Sequence, residues 1–345
     1  MERNVLKRIS DCIWEIPKEY RKDMRVPGRI FASEVMLEDI LRDESLEQVV
    51  NVATLPGIRG YSLAMPDVHE GYGFPVGGVA ATDRKTGVIS PGGIGFDINC
   101  GIRLLRSEQT YGEAKKSLPD LATALYEAVP SGVGRRGKVT LVNRELDAVL
   151  EGGVERMREL GYATDDDVRH CESSGRLSEA TGDTVSKQAK DRGRDQLGTM
   201  GAGNHFVEIE RVHTIFDHGA ARQFGLFQDQ LVAMIHCGSR GLGHQIATDY
   251  IQTMLRVQGV YAITVPDREL ACAPFCSPEG ERYFAAMSAA ANFAWANRQM
   301  IAWEIRRVWE KIFGAPSARR EPLQLVYDVA HNIACLLYTS PSPRD

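Results

Sequence analysis

Residues 1–50 read as a mixed entry segment. Within it, apolar residues recur at roughly helical spacing from Glu34 to Val50 (Val35, Leu37, Ile40, Leu41, Leu46, Val49), which predicts one helix or two. The texture changes between Pro56 and Leu105. Glycines become dense, Pro56, Pro66, Pro75 and Pro91 punctuate the chain, and short β-type runs stand at Val76 to Ala81, Gly87 to Ser90 and Ile102 to Leu105. That pattern predicts strands joined by tight turns. Helical spacing returns over 113–128 and 143–160. Residues 164–196 are polar and charged, and predict a surface excursion with a short helix around 183–192. Strand-like runs follow at 205–209, 231–235 and 323–327, with 277–313 predicting one long helix or two abutting ones. No repeat of fixed period is present. Short strands and long helices in non-alternating order predict an α+β fold with several sheets, not a doubly wound βαβ array.

Composition narrows the class without naming a function. A chain of 345 residues suggests two domains or one enzyme-sized unit, taking about 150 residues per domain. Hydrophobic residues at 43% and charged residues at 25% exclude wholesale disorder, collagen and a pure coiled coil. With 41 basic against 46 acidic residues the net charge is −5, so nucleic acid would have to be held by a local basic patch or a metal. Seven cysteines, an odd number spread thinly, argue against a disulfide framework and fit a reducing, cytoplasmic setting. The first twenty residues lack the apolar core of a signal peptide, and no uninterrupted apolar run reaches the about 18 residues a membrane span needs. Cys335 to Asp345 has no periodicity and follows abruptly on a strand ending in His331-Asn332. It is read as a foreign tail on a chain whose natural course continues.

Four segments share one design: a β-type run beside a potential metal ligand, with small residues close by. They are Gly95-Phe96-Asp97-Ile98-Asn99-Cys100-Gly101, Gly203-Asn204-His205, Ile235-His236-Cys237-Gly238 and Ala330-His331-Asn332. Together they offer one carboxylate, one thiolate and three imidazoles, a set suited to zinc, manganese or iron. One ion with four ligands and two ions sharing Cys100 are both compatible with it. Taken singly, Cys100 is an ordinary buried small hydrophobe and His205 an ordinary structural donor. Cys272 and Cys276 lack the companion Cys/His pair of a zinc knuckle, and His170, His213 and His218 sit in polar stretches as solvated side chains. Gly198 to Gly203 lacks the Lys-Ser/Thr ending of a P-loop and precedes a strand. Gly238-Ser239-Arg240-Gly241-Leu242-Gly243 adds an arginine suited to bidentate phosphate contact. Arg135-Arg136-Gly137-Lys138 and Arg192-Gly193-Arg194 are solvated basic loops, and the places where an RNA backbone would lie.

At this point the chain resembles the RtcB-type RNA-splicing ligases, the archaeal-like branch in particular. The resemblance rests on Met65-Pro66-Asp67-Val68-His69-Glu70-Gly71-Tyr72-Gly73-Phe74-Pro75, Ser90 through Gly101, Gly201-Ala202-Gly203-Asn204-His205-Phe206, His236 through His244, and Tyr327-Asp328-Val329-Ala330-His331-Asn332. It runs from about Leu6 to Ala334, so residues 1–334 are expected to be a ligase domain, incomplete at its C-terminal end, with 335–345 outside the family. The resemblance implies several mixed sheets with surrounding helices around a central metal cleft. It implies a GTP- and Mn²⁺-dependent ligase that joins RNA ending in a 2′,3′-cyclic phosphate or 3′-phosphate to RNA with a 5′-hydroxyl, in tRNA splicing or RNA repair. Cys100 would bridge two Mn²⁺ ions, with Asp97 and His205 completing one site and His236 and His331 the other. Asn204, His205, Phe206, Val207, Glu208, His331 and Asn332 would contact the guanine nucleotide, Arg240 would hold an RNA phosphate, and an archease-type protein is a candidate activator. The family's nucleophilic histidine lies in a His-Gly-Ala-Gly-Arg segment that these 345 residues do not contain, so no nucleophile is assigned and the chain as written is expected to be inactive. The competing readings are a metal- and GTP-binding fragment without catalysis, and a metal-dependent phosphohydrolase.

Overall fold

The computed structural model describes residues 1–315 and 321–337. The chain divides into two compact units, one made of Met1–Phe96 and Gln245–Ala286, the other of Asp97–His244 and the residues from Met287 on. Among the described residues the strands are β1 (Lys7–Ser10), β2 (Ile13–Ile16), β3 (Gly28–Phe31), β4 (Ile58–His69), β5 (Val76–Thr82), β6 (Val88–Ile89), β7 (Gly101–Thr110), β8 (Phe206–Arg211), β9 (Gln230–Cys237), β10 (Ala273–Pro274) and β11 (Gln324–Ala330). With the helices between them they make an α+β fold. No described helix is long and apolar enough to cross a membrane.

The first unit carries a five-stranded sheet in the order β1-β2-β3-β4-β5 and a short β10-β6 ribbon. Pairing in the large sheet is antiparallel except between β3 and β4. Strand β2 alternates in burial, so Trp14 and Ile16 point inward together, as the two-residue period of a strand requires. The helix Glu34–Ile40, capped by the Ser33 hydroxyl accepting from Met36 N, and the helix Ser45–Val52 cover the core, with Leu37, Leu46 and Val49 packed among Trp14, Ile16 and Ile30. The spacing over 34–50 thus resolves as two helices. The three strands within the first 31 residues are not anticipated by the residue pattern. Strand β1 is exposed along its whole length, so it carries no alternation to read.

The second unit is built on a four-stranded sheet in the order β11-β7-β9-β8, antiparallel throughout. Of the two larger sheets, only the five-stranded one is mixed. Leu105, Ala233, Ile235 and Cys237 share one face and pack against Ile301, Ile305 and Trp309 of the long helix Pro278–Phe313. Leu104, Val232, Met234 and Val326 form a smaller cluster on the opposite face. The 164–196 stretch runs largely at the surface, as its polarity suggests, but is anchored at several points. Asp167 and Cys171 are buried, and the stretch holds two short helices, Asp165–Arg169 and Lys187–Gly193, with 3₁₀ turns at Glu172–Gly175 and Gly182–Thr184 between them. Asp167 departs from its polarity because it is buried against a charged partner, Arg306. Of the expected foreign tail, Cys335 to Leu337 form no regular structure, and the rest lies outside the described residues.

Candidate metal centre

The register of the four-stranded sheet gathers the candidate ligands. Gly101 pairs with Cys237 and Ala330, and His236 pairs with Phe206 and Ile102. Cys100, His205, His236 and His331 therefore all fall at one end of the sheet. Cys100 and His205 stand just before β7 and β8, His236 is the penultimate residue of β9, and His331 follows β11. Residues more than two hundred positions apart meet because antiparallel strands alternate their starts and finishes at each end.

The distances are short. Cys100 Sγ lies 3.2 Å from His205 Nε2 and 3.2 Å from His236 Nε2. His236 Nε2 is 3.3 Å from His331 Nε2, and His205 Nε2 is 2.8 Å from Asp97 Oδ2. The ligand atoms of Cys100, His205 and His236 all lie within 4.8 Å of one another. Two donors on one tetrahedral ion, with bonds of about 2.1 and 2.3 Å, sit roughly 3.6 Å apart, so small rotations open the group to a metal.

Proton placement supports the same use. His236 Nδ1 is 3.0 Å from the carbonyl oxygen of Asn204. A carbonyl can only accept, so Nδ1 carries the proton and the Nε2 lone pair faces Cys100 and His331. Asp97 Oδ2 is buried and makes no well-formed hydrogen bond. Burial would raise the Asp97 carboxyl, but the His205 ring and Cys100 thiol hold it below its usual range. Burial pushes the Cys100 thiol up, to about 12, with Asp97 adding to the rise and His205 opposing it. Burial would lower His205, yet Asp97 and the Cys100 and Cys237 thiols outweigh it and push the ring up to about 12. For His236 burial prevails and the pKa falls. A carboxylate oxygen without a well-formed hydrogen bond, a thiol and an outward-facing imidazole lone pair are donors that fit a divalent cation of intermediate softness.

Small residues make the approach possible. A Cβ on Gly238 would stand 2.3 Å from Asp97 Oδ1, and one on Gly201 would stand 1.9 Å from His205 Nδ1 and 2.8 Å from Arg240 Nη1. Arg240 therefore borders the cluster, its Nε donating to Thr199 Oγ1 at 3.1 Å and its Nη2 to the Gly132 carbonyl at 3.0 Å. Phe206 stacks edge-on against His236, with ring centroids 5.3 Å apart. Glu208 is exposed and pairs with Met234, two residues along both strands from Phe206 and His236, hence on their face of the sheet. Val207 turns to the opposite face, against the helix-covered core. Asn332 Nδ2 reaches the Asp97 carbonyl at 3.4 Å, and its own carbonyl accepts from Asn99 N at 2.7 Å. Asn204 contributes its carbonyl to His236, and its side chain is exposed. Cys272 is buried in the other unit's core and Cys276 is exposed, without a ligand group around either among the described residues. His170, His213 and His218 are exposed. Sequence reasoning missed Ser239, whose Oγ donates to Asp97 Oδ1 at 3.5 Å, and the fully buried Arg298 and Asp328 behind the cluster.

The sequence model of the family described as tRNA-splicing ligase RtcB matches residues 48–337. Proteins named tRNA-splicing ligase RtcB from Archaeoglobus fulgidus and Thermococcus kodakarensis are each 50% identical to the chain, over 96% of its length and 68% of theirs. That from Methanococcus maripaludis is 49% identical over 96% of the chain and 69% of its own length. The chain belongs to the RtcB family. The RtcB match takes in every residue of the cluster, from Asp97 to His331. Its α+β architecture and its Cys-His-His group are thus features of an RtcB chain.

Proposed function

We propose that the cluster of Asp97, Cys100, His205, His236 and His331 holds two Mn²⁺ ions, and that this chain binds metal and GTP as an RNA ligase does. The reaction is the joining of RNA with a 2′,3′-cyclic phosphate or 3′-phosphate end to RNA with a 5′-hydroxyl end, at the expense of GTP, in tRNA splicing or RNA repair. The observation that carries the reading is the position of Cys100 Sγ, 3.2 Å from His205 on one side and 3.2 Å from His236 on the other. A thiolate so placed suits a bridge, with Asp97 and His205 completing one site and His236 and His331 the other. Bound cations would neutralise triphosphate charge and polarise the phosphorus under attack. The sheet end bearing the cluster is then the floor of the metal cleft. Asn204, His205, Phe206, Glu208, His331 and Asn332 border it and would hold the guanine nucleotide, while Val207 turns to the opposite face. Arg240 offers its guanidinium fork to an RNA phosphate. The setting is cytoplasmic, and an archease-type protein is a candidate activator.

The nucleophile is a separate matter. A cation polarises a phosphate but does not replace the histidine that would carry GMP. The 345 residues contain no His-Gly-Ala-Gly-Arg segment, so this chain is predicted to bind Mn²⁺ and GTP without forming a covalent guanylate or sealing RNA. The test is incubation with Mn²⁺ and α-labelled GTP, followed by denaturing electrophoresis and, in parallel, equilibrium dialysis against each ligand. Retained Mn²⁺ and GTP with no labelled band is the expected result. A labelled band abolished by a His→Ala change within the chain contradicts the inactivity, and release of phosphate from RNA ends without GTP would favour a phosphohydrolase.

A further inference from the structure

Behind the cluster lies a group of buried charges that the proposed chemistry does not use. Arg298 is fully buried on the helix Pro278–Phe313, and all five of its N–H donors are taken. Nη1 donates to the carbonyl of Asn99 at 2.7 Å and to the carbonyl of Cys237 at 2.8 Å. Nη2 donates to the Asn99 side-chain oxygen at 2.9 Å and to Asp328 Oδ1 at 2.7 Å. Nε closes the fork on Asp328, at 3.1 and 3.0 Å from its two oxygens. Asn99 immediately precedes Cys100, Cys237 immediately follows His236, and Asp328 lies three residues before His331. One guanidinium therefore grips three of the chain segments that carry the cluster, each within three residues of a candidate ligand.

The backbone needs such a grip. Asn99 sits at φ 54°, in the left-handed region, on the turn between Asp97 and Cys100. Its Nδ2 donates to the Ala291 carbonyl at 2.9 Å, so its side chain is held at both ends. A fully buried arginine is a poor choice for stability alone, since an apolar replacement of the whole ion group is often neutral or better. Its placement at this convergence has a different use.

We propose that Arg298 is a positioning residue for the metal centre, fixing the peptide carbonyls beside Cys100 and His236 so that their ligand atoms meet. This rests on the reading of the cluster as a metal site. Lysine in its place keeps a charge beside Asp328 but has three donors from one nitrogen, and cannot span Asn99, Cys237 and Asp328 in one plane. The ligand atoms should then drift apart while the fold remains.

The experiment compares the unaltered chain with Arg298→Lys, Asn99→Gly and Cys100→Ser. Asn99→Gly keeps the left-handed backbone and removes the side-chain contact, so it decides the matter if Arg298→Lys does not fold. Two readouts are taken on folded protein: Mn²⁺ dissociation constants, and the absorption of Co²⁺-loaded samples, where thiolate-to-metal charge transfer reports the sulfur–metal bond. The expected result is an at least about tenfold weaker Mn²⁺ constant for Arg298→Lys and Asn99→Gly, with a shifted charge-transfer band, on the scale of outer-shell substitutions at metal sites. Wild-type affinity and an unchanged band in both folded variants would overturn the positioning role. Cys100→Ser separates the two ideas: if it binds Mn²⁺ as the unaltered chain does, the metal reading itself fails, whatever Arg298 does.

Discussion

Two polar groups lie side by side in the second unit, and they differ in how completely their atoms are paired. In the first, Arg103, Arg298, Asp328, Gln299, Asp167 and Arg306 are all buried. Asp328 takes Arg103 Nε at 2.6 Å and Arg298 Nη2 at 2.7 Å, Arg103 passes on to Gln299, and Gln299 Nε2 reaches Asp167 at 3.1 Å. Asp167 then takes both guanidinium arms of Arg306, at 2.8 and 2.7 Å. None of these side chains has a buried polar atom left without a partner. In the second group, Asp97 Oδ2 lies 2.8 Å from the His205 ring without a well-formed hydrogen bond, and the His236 lone pair faces a thiol and another imidazole. Burying polar atoms costs free energy in both cases. The saturated group recovers it within the chain and so belongs to the architecture. The second group recovers it less completely, in keeping with the metal site proposed for it.

The comparison breaks first at its strongest point. Asp328→Asn removes the carboxylate shared by two fully buried guanidinium groups and leaves them uncompensated. The expected loss is about 3–5 kcal/mol of unfolding free energy, the range for breaking one side of a buried ion group. Urea unfolding followed by circular dichroism measures it. A loss under about 1 kcal/mol would mean that water reaches these arginines and that the group is not saturated from within.

Acid probes the same group at its other end. Burial alone would raise the Asp167 carboxyl, but the Arg306 guanidinium holds it down, at about 2, against an unperturbed value of 3.8. Because the folded-state pKa is the lower one, the stabilisation is present above the unfolded value and is lost as pH falls through the folded one. Asp167→Asn should therefore remove about 2 kcal/mol of stability at neutral pH and progressively less between pH about 4 and about 2. Unfolding curves for the two proteins across that window check the sign. A difference that widens on acidification would contradict it.

These two groups were not equally legible in the sequence. The candidate cluster could be read because a lone Cys or His at a strand end, beside glycines, is an unusual place for a reactive side chain. The antiparallel order that unites those ends followed only from the pairing of β11, β7, β9 and β8. The saturated group left almost no trace. Arg298 lies in the run Ala296-Asn297-Arg298-Gln299, which reads as the polar face of an ordinary helix, yet all four residues are buried. Periodicity assumes that one face of a helix meets water, and this helix is enclosed on every side there. Asp167 was hidden for the converse reason, inside a run of three aspartates of which the other two are exposed.

The smallest effect sharpens the contrast most. If the unsaturated group serves a ligand, its central atom should matter little to the empty fold. Cys100 is 4% exposed and its thiol stays protonated at neutral pH, so in the metal-free protein it acts as a small apolar side chain. Cys100→Ala should change the unfolding free energy of the metal-free chain by no more than about 1 kcal/mol, the cost of one small buried group. Mn²⁺ should then separate the two proteins. At a free concentration about 100 times its dissociation constant, a cation bound only by the folded state adds about 2.7 kcal/mol. The unaltered chain should show that gain, and Cys100→Ala should lose most of it, in thermal unfolding run with and without Mn²⁺. A metal-free Cys100→Ala protein weakened by about 3 kcal/mol or more would place Cys100 with the architecture after all, and the incomplete pairing around it would need another explanation.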